Sequence, residues 1–397
     1  CLLAACTGKR QGEAAVEVAA LPAVEDVVMY QVNPRVFAPE KSFKAVERRL
    51  DSIQALGINV VWFMPINEVG QEKSVNSPYC VKDYKGVNPE FGTLDEFKAL
   101  VATCHQKGMN VIIDWVANHT SWDNAWIANK EWYTQDEAGN IIFPAGTGWK
   151  DVADLNFDNQ EMRLAMIEAM KFWVTEIGID GFRCDAADFV PFDFWKQALD
   201  SLRAIPDRSL LMLAEGKRRD HYKAEYDTIP VGKVKLRFTT NHDESAKMSP
   251  IKEFGDMRGS IAAFVLTTYL HGGALIYGSQ EAGYPEAINF FTYVPVDWTG
   301  NSELYQEYCR LMALYNEYPA IRKGGLTTYP QPDVLLFEKQ DGKDRVLVAV
   351  NVRNREVNVT LPQEWNGHPS KDMYSGTEEK LEAELSLCPY QYRIFKY

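Results

Sequence analysis

Three acidic residues stand at the ends of short apolar runs, where they could act together on one bond. Asp185, Glu215 and Asp243 end the segments Gly-Phe-Arg-Cys-Asp, Leu-Met-Leu-Ala-Glu and Arg-Phe-Thr-Thr-Asn-His-Asp. The carboxyl ends of the strands of a parallel barrel meet at one face, and such barrels carry out their chemistry there. Carboxylates that converge on one such mouth predict acid/base work on a bond that needs both a proton donor and an anionic partner. We therefore interpret the chain as an enzyme.

Strand and helix patterns alternate from about residue 27 to residue 320, as a barrel that positions these carboxylates requires. Strands are predicted at 27–37, 59–65, 109–116, 181–186, 210–215 and 274–278. Helices are predicted at 42–56, 94–107, 160–177, 192–204, 260–271 and 302–317, and a capping box at Thr93 opens the second of them. No Gly-rich phosphate loop follows the first strand. The alternation therefore favours a (β/α)8 barrel of the TIM type over an open α/β sheet.

The spacing of the carboxylates indicates one shortened barrel unit. Asp185 and Glu215 are 30 residues apart, which suits one strand–helix–strand unit. Glu215 and Asp243 are only 28 residues apart, yet a further strand, predicted at 224–229, must fit between them. Each parallel crossover needs at least about 10–12 residues. We therefore predict that the helix after the sixth strand is missing and is replaced by segment 230–233.

Two segments depart from the alternation. Residues 119–159 contain Trp122, Trp126, Trp132 and Trp149 among Gly, Asn and Pro, which predicts a short insertion after the third strand. These tryptophans could stack on a sugar or pack into a small core. From residue 326 the pattern has period two, with runs at 334–339, 346–351, 357–361 and 390–396 and a hairpin turn at 340–343. We predict a catalytic barrel over 27–325 and a C-terminal antiparallel β-sandwich over 326–397.

Composition narrows the classes of partner. The net charge is −13, from 42 Lys and Arg against 55 Asp and Glu, and no basic stripe occurs. Nucleic acid and anionic membrane surfaces are therefore not expected partners, whereas a neutral substrate such as a sugar fits. The seven cysteines are odd in number and show no metal-ligand spacing, so no disulfide framework is predicted.

The first residues resemble a bacterial lipoprotein signal. Leu3-Ala4-Ala5-Cys6 is similar to a lipobox, which predicts that Cys6 is lipidated and that residues 1–26 are a signal remnant and a tether. The alternative is a chance Leu/Ala stretch in a disordered tail. No later segment reaches the ~18–20 apolar residues needed to span a bilayer. We expect a protein of the bacterial cell envelope, held by lipid at the periplasmic or outer-membrane surface, or else a soluble protein.

Six motifs, in the same order, resemble those of the α-amylase family of glycoside hydrolases. They lie at 79–84, 114–119, 152–156, 181–187, 214–215 and 238–243, and the resemblance extends over roughly residues 27 to 397. It implies a retaining hydrolase that needs no cofactor. It also implies that Asp185 is the nucleophile, that Glu215 is the general acid/base, and that Asp243 binds ring hydroxyls and stabilises the transition state.

The chemistry of retaining hydrolysis also requires two such carboxyl groups, independently of the resemblance. Retaining glycosidases need them ~5–5.5 Å apart, one attacking the anomeric carbon while the other protonates the leaving oxygen. Arg183 lies two residues before Asp185, so strand alternation places both on one face, where the guanidinium can hold Asp185 anionic. The apolar run before Glu215 predicts apolar surroundings that favour its protonated form.

The resemblance also implies the contacts with substrate. His119 and His242 would bond hydroxyls of the sugar at the cleavage point, Tyr79 would stack on its ring, and Arg183 would hold the nucleophile. Asp114 is expected to be structural, bridging to Arg183 or to the backbone. The partner implied is an α-glucan oligosaccharide or polysaccharide.

Two departures from the family pattern restrict these expectations. Many endo-acting α-amylases carry Lys-His shortly after the nucleophile, whereas Ala-Asp-Phe-Val follows here at 187–190, so specificity for long polymers is in doubt. Asn118 and Asp154 match two calcium ligands of the family. A structural calcium is therefore implied without a complete ligand set.

Three functions remain open from the sequence. The first is hydrolysis of α-glucosidic bonds in maltooligosaccharides or related α-glucans through a covalent glycosyl-enzyme intermediate. The second is transglycosylation or isomerisation with the same chemistry, in which a sugar replaces water as the acceptor. The third is a non-catalytic glucan-binding lipoprotein, which the presence of all three carboxylates argues against.

Overall fold

The catalytic half of the chain is built on a parallel sheet, seen in a computed structural model that describes residues 20–216 and 232–397. The first nine strands are β1 (Val28–Val32), β2 (Val60–Phe63), β3 (Asn110–Trp115), β4 (His119–Ser121), β5 (Val152–Asp154), β6 (Gly181–Cys184), β7 (Leu211–Ala214), β8 (Leu236–Arg237) and β9 (Gly273–Tyr277). Seven of them pair in parallel in the order β7-β6-β3-β2-β1-β9-β8. This is the strand order of the predicted TIM-type barrel.

The two outer strands of this sheet, β7 and β8, border the segment that was predicted to be shortened. The strand predicted at 224–229 and the first half of the segment predicted to replace the helix, at 230–233, lie outside the described residues. Those two predictions therefore stay predictions.

Helices surround the sheet, and one short helix, at His242–Ser245, lies at the cleft of the barrel mouth. They are α1 (Ser42–Glu47), α2 (Leu50–Ala55), α3 (Leu94–Gln106), α4 (Gln160–Phe172), α5 (Phe192–Arg203), α6 (His242–Ser245), α7 (Pro250–Glu253), α8 (Met257–Leu270), α9 (Ser302–Glu317) and α10 (Pro319–Lys323). The capping box at Thr93 is present, with Glu96 as its second member. The helix predicted at 42–56 is divided into α1 and α2, and α4 continues into a π-helical turn at Trp173–Ile177. Among the helices described, none is long and apolar enough to cross a membrane.

The side chains that point into the barrel are apolar at its floor and polar at its mouth. The side chains that pack together inside are Met29, Val60, Trp62, Ile112 and Leu275. Two residues further along β3, the same face carries Asp114, and Arg183 lies over the ring of Trp62 at 5.2 Å. Cys184 belongs to the core between sheet and helices, so it points away from the barrel interior.

The insertion after the third strand is present. Strands β4 and β5 form an antiparallel pair in which His119 lies opposite Asp154. Trp126 and Trp132 meet edge to face at 5.3 Å and pack against the main core. Trp149 instead remains 38% exposed. The tryptophans of the insertion therefore divide between packing and the surface.

The C-terminal domain is antiparallel, as predicted. Its strands are β10 (Gly325–Pro330), β11 (Val334–Asp341), β12 (Asp344–Asn351), β13 (Val357–Thr360), β14 (Pro369–Asp372), β15 (Glu378–Lys380), β16 (Glu384–Leu387) and β17 (Tyr392–Lys396). A six-stranded sheet, β10-β11-β12-β17-β14-β15, packs one face on the β13-β16 pair around Trp365. Its other face, which includes Phe337 and Val348, joins the barrel core. The predicted hairpin closes with Asp341 opposite Asp344.

Candidate active site

Arg183 links three carboxylates at the barrel mouth. Its Nη1 donates to Asp114 Oδ1 at 2.7 Å and to Asp185 Oδ1 at 2.8 Å, while its Nη2 pairs with Glu215 Oε1 at 2.8 Å. These residues come from the adjacent strands β3, β6 and β7, or from the residue that follows them. The expected bridge from Asp114 to Arg183 is therefore present. The guanidinium also holds the two candidate catalytic carboxylates side by side.

The surroundings of Glu215 differ from those expected. Its Oε1 lies on the guanidinium, and its Oε2 accepts the N–H of Ala186 at 2.9 Å. Ala186 has a left-handed backbone with φ 41°, an unusual conformation for a residue with a Cβ, which turns its N–H toward Glu215. The apolar run of β7 packs against the floor of the barrel, and Glu215 emerges above it. The prediction of an apolar environment was therefore wrong.

The charge balance of this cluster favours retention of a proton. Burial raises the pKa of Asp185 to about 8 and the pKa of Asp114 to about 6, although Arg183 acts in the opposite direction on both. Arg183 does not fully offset the burial of Asp114 and Asp185, so both carboxyl groups keep a proton to a higher pH than usual. Both accept a hydrogen bond from Arg183 Nη1, so the proton belongs to this pair of carboxyl groups.

A second group of side chains surrounds His242. Its Nε2 lies 2.7 Å from Tyr79 Oη, and its Nδ1 lies 2.8 Å from Gln31 Nε2. Burial lowers the pKa of His242 well below its ordinary value, so the imidazole is neutral. With the Gln31 amide donating to Nδ1, the ring proton lies on Nε2 toward Tyr79. Tyr79 Oη in turn donates to Asp114 Oδ2 at 3.2 Å, which connects this group to the carboxylates.

His119 begins β4 at the edge of the same cleft. Its Nε2 lies 3.1 Å from the carbonyl oxygen of Tyr79, and its ring meets the edge of Trp149 at 5.6 Å. Burial lowers the pKa of His119 to about 4, so it is also neutral. His119 therefore supports the backbone of Tyr79, and its expected contact with a sugar hydroxyl stays a prediction.

One cleft of about 480 Å³ brings the candidate residues together. Asp185, Glu215 and Asp243 line it with Tyr79, His119 and His242, and Arg183 lies beneath. Asp243 stands in α6, where Asn241 caps the helix, and its side chain is 48% exposed. Burial also raises the pKa of Asp243. The cleft thus combines a hydrogen-bonded carboxylate pair with a third carboxylate that is open to a ligand.

Several residues of the cleft were missed from the sequence. Phe290 and Phe291 stack on each other at 4.8 Å, and Phe290 meets the rings of Tyr79 and His242 at 6.0 and 5.6 Å. Gln31, which holds His242, is fully buried on β1. An available signal for the first pair was a cluster of aromatic residues at 290–293 in a segment without strand or helix periodicity.

The two expected calcium ligands lie near each other, and the structural calcium that they imply stays a prediction. Asn118 accepts the N–H of Leu155 through its backbone oxygen, and Asp154 is the residue paired with His119. Calcium takes six to eight oxygen ligands. Within residues 20–216 and 232–397, no group of three or more acidic, His or Cys side chains could hold a metal ion. No step below uses a metal.

Two family models match the chain. The model for the α-amylase catalytic domain matches residues 42–140 and 129–228, and the model for the C-terminal domain of maltogenic amylase matches residues 326–394. The chain belongs to the α-amylase family of glycoside hydrolases. The two segments matched by the catalytic-domain model together extend from α1 past Glu215, and the second segment includes Asp185 and its neighbours.

Individual members of the α-amylase family resemble the chain over most of its length. A cyclomaltodextrinase of Geobacillus thermopakistaniensis is 24% identical over 94% of this chain and 77% of that protein. The α-amylase MalA of Haloarcula japonica is 26% identical over 80% of this chain, which spans 44% of that longer protein. The crystal structure of the maltogenic α-amylase AmyB of Thermotoga neapolitana superimposes with a TM-score of 0.82 and 26% identity, covering 95% of this chain and 99% of that one.

Proposed function

We propose that this glycoside hydrolase cleaves α-glucosidic bonds in maltooligosaccharides or related α-glucans and retains the anomeric configuration. The observation that carries the proposal is the contact of one guanidinium with both Asp185 and Glu215 at the mouth of the barrel. Relatives named cyclomaltodextrinase and maltogenic α-amylase support the choice of substrate.

The reaction follows from the positions of the carboxylates. Asp185 attacks the anomeric carbon and forms a glycosyl ester, while the bond to the leaving oxygen breaks and Glu215 protonates that oxygen. Water then attacks the same carbon, Glu215 takes its proton, and the ester bond to Asp185 breaks. Arg183 stabilises Asp185 when it carries the negative charge.

The proton for the first step comes from the carboxylate cluster. Because burial raises the pKa of Asp185 to about 8, this carboxyl group holds a proton near neutral pH in the free protein. In the proposed reaction this proton passes to Glu215, which turns from Arg183 toward the leaving oxygen, and Asp185 becomes the anion.

The replacement Asp185→Asn tests the chemistry. The wild-type protein should release shorter products from maltoheptaose, and the rate should fall at least about a thousandfold in the variant, because an amide cannot form the ester. Product profiles from maltoheptaose, pullulan and cyclodextrin, measured by mass spectrometry, give the preferred linkage. Binding of maltoheptaose should persist in the variant. A wild-type protein that binds maltoheptaose without any turnover would instead support the non-catalytic glucan-binding function.

We further propose that Cys6 carries the lipid that holds the protein at the bacterial envelope. The support is the Leu-Ala-Ala-Cys motif at 3–6, which lies outside the described residues. Expression of the precursor in a bacterial host fed a labelled fatty acid should give a labelled protein. Label should disappear in Cys6→Ala and persist in the matched control Cys1→Ala. A labelled Cys6→Ala protein would refute the assignment.

A further inference from the structure

Two loops meet above strand β1 at one end of the cleft. The β2 loop, residues 74–79, follows β2, and the β9 loop, residues 289–294, follows β9; these two strands flank β1 in the sheet. Asn76 of the β2 loop donates from Nδ2 to the carbonyl oxygen of Phe291 in the β9 loop at 2.5 Å. Asn76 has a left-handed backbone with φ 63°, which Asn adopts more readily than most residues. Its side chain thus joins the two loops.

Arg35 holds the joined loops on the side of β1. It follows that strand and is 1% exposed. Its Nη1 donates to the carbonyl oxygens of Asn76 and Phe290, each at 2.9 Å, and its Nη2 donates to Asn76 Oδ1 at 3.3 Å. The guanidinium also pairs with Glu90 at 3.1 Å, and the carbonyl oxygen of Arg35 accepts the N–H of Val294. Separation of the loops would leave these buried donors without partners, which is costly.

The joined loops form one wall of the catalytic cleft. Val75 and Ser77, the neighbours of Asn76, line the cleft, and so do Phe290 and Phe291. We call these four lining residues the β1 wall. A sugar chain that continued in this direction would have to pass through the two loops.

The β1 wall lies across the barrel from Glu215. Strand β1 stands four places from β7 in the order of the sheet, and four places is the full diameter of a barrel of eight strands. Glu215 directly follows β7. As the proposed general acid it must lie at the leaving oxygen, where the part of the chain toward the reducing end departs. The β1 wall is therefore on the non-reducing side of the bond that breaks.

We propose that the β1 wall limits how many glucose units bind on the non-reducing side, so that the enzyme acts on α-glucans from their free non-reducing ends. A longer chain on that side would collide with two loops that are hydrogen-bonded to each other, and such a clash discriminates against it. The cleft volume of about 480 Å³ suits a short oligosaccharide. The inference deepens the proposed function and rests on it, because it specifies which glucans the same site accepts.

The first test compares two forms of maltoheptaose and needs no variant. One form has a free non-reducing end, and the other carries an ethylidene acetal on that end. The wild-type protein should turn over the blocked form at least about a hundredfold more slowly, because the acetal meets the β1 wall. When free maltoheptaose is labelled at its reducing end, the earliest short products should carry no label.

The variant Asn76→Gly tests whether the joined loops cause this selection. Glycine adopts the left-handed backbone of position 76 without strain, so the variant loses only the side-chain bridge. The rate on the blocked form relative to the free form should rise about tenfold, as expected when one hydrogen bond between the loops is lost. Asn76→Asp keeps an acceptor for Arg35 but cannot donate to the carbonyl oxygen of Phe291. It should change the ratio in the same direction.

The matched control is Lys73→Gly. Lys73 lies just before the β2 loop and also has a left-handed backbone, with φ 56°. Its Nζ lies over the ring of Trp122 at 3.4 Å, and it is not among the described residues that line the cleft. The ratio of the two rates should therefore stay at the wild-type value.

Three outcomes would count against the inference, and they are distinguishable. Similar wild-type rates on both forms, or labelled short products from the start, would refute action from chain ends and leave the hydrolase intact. A wild-type ratio that persists in both Asn76 variants would refute the role of the joined loops. A wild-type protein that turns over neither form would refute the proposed function and the inference with it.

Discussion

Asp185 combines two opposing demands, since it must ionise to attack a sugar and yet lies buried beside other carboxylates. Arg183 offsets part of this repulsion through a bond of 2.8 Å, but it also serves Asp114 and Glu215. The pKa of Asp185 is therefore raised to about 8, chiefly by burial. In the free protein Asp185 therefore holds a proton near neutral pH, and it must lose this proton before it can attack a sugar.

This raised pKa predicts how stability depends on pH. A carboxyl group whose pKa is higher in the folded state stabilises the fold fully below its unfolded value of 3.8, and that contribution is lost as pH rises through about 8. The side chain of Asn does not ionise, so the variant Asp185→Asn does not lose stability in this way as the pH rises. The variant should therefore be more stable than the wild type at pH 9, by about 2 kcal/mol.

Thermal melting at pH 5, 7 and 9 measures this effect. The advantage of Asp185→Asn should grow with pH over this range. The surface replacement Asp158→Asn, at an exposed position, should give a difference that does not grow in this way. A constant or shrinking advantage for the active-site variant would contradict the raised pKa.

The elements that carry the site could be predicted because their periodicity is local. Buried strands such as β2 and β3 are nearly continuous apolar runs, and Asp185 and Glu215 directly follow strand ends, whereas Asp243 lies in α6. Element ends were less accurate. The strand expected at 27–37 stops at Val32, because Asn33 and Pro34 start a 3-10 turn in which the Asn33 side chain accepts the N–H of Arg35.

Contacts between residues far apart in the sequence could not be predicted in the same way. Phe290 contacts His242 across 48 residues of sequence, and Gln31 on β1 contacts it across 211. Neither pairing leaves a periodic pattern in the sequence, because tertiary packing brings the residues together. The contact between Glu215 and Arg183 is a similar case, since apolar neighbours in sequence did not become neighbours in space.

At the scale of the whole molecule, a buried lysine connects the C-terminal sheet to the barrel. Lys339 on β11 is fully buried, and its Nζ donates to the carbonyl oxygen of Leu270 at the end of α8. Burial lowers the pKa of Lys339 to about 8. The cation satisfies the last carbonyl of a helix but loses its hydration.

The sign of this shift predicts the effect of Lys339→Met. A lysine whose pKa is lowered in the folded state stabilises the fold fully above its unfolded value of 10.5, and that contribution is lost as pH falls through about 8. Replacement by methionine removes the cost of burying the charge and also removes the hydrogen bond to Leu270. The net gain at pH 7 should be about 1–2 kcal/mol.

Chemical denaturation at pH 7 and pH 10 measures this gain, which should shrink at the higher pH. Lys343→Met, at the exposed hairpin turn of the same sheet, serves as the control and should change little. A loss of stability in Lys339→Met at pH 7 would show that the bond to Leu270 outweighs the burial of the charge.

Successive residues of β12, in the six-stranded sheet, pack into two different hydrophobic cores, and this arrangement has an evolutionary consequence. Val346, Val348 and Val350 pack into the barrel core, whereas Leu347 and Ala349 pack around Trp365. Recombination that replaced the C-terminal domain with an unrelated domain would have to preserve the packing of both cores at once. The C-terminal domain is therefore expected to be inherited together with its barrel rather than exchanged between unrelated catalytic domains.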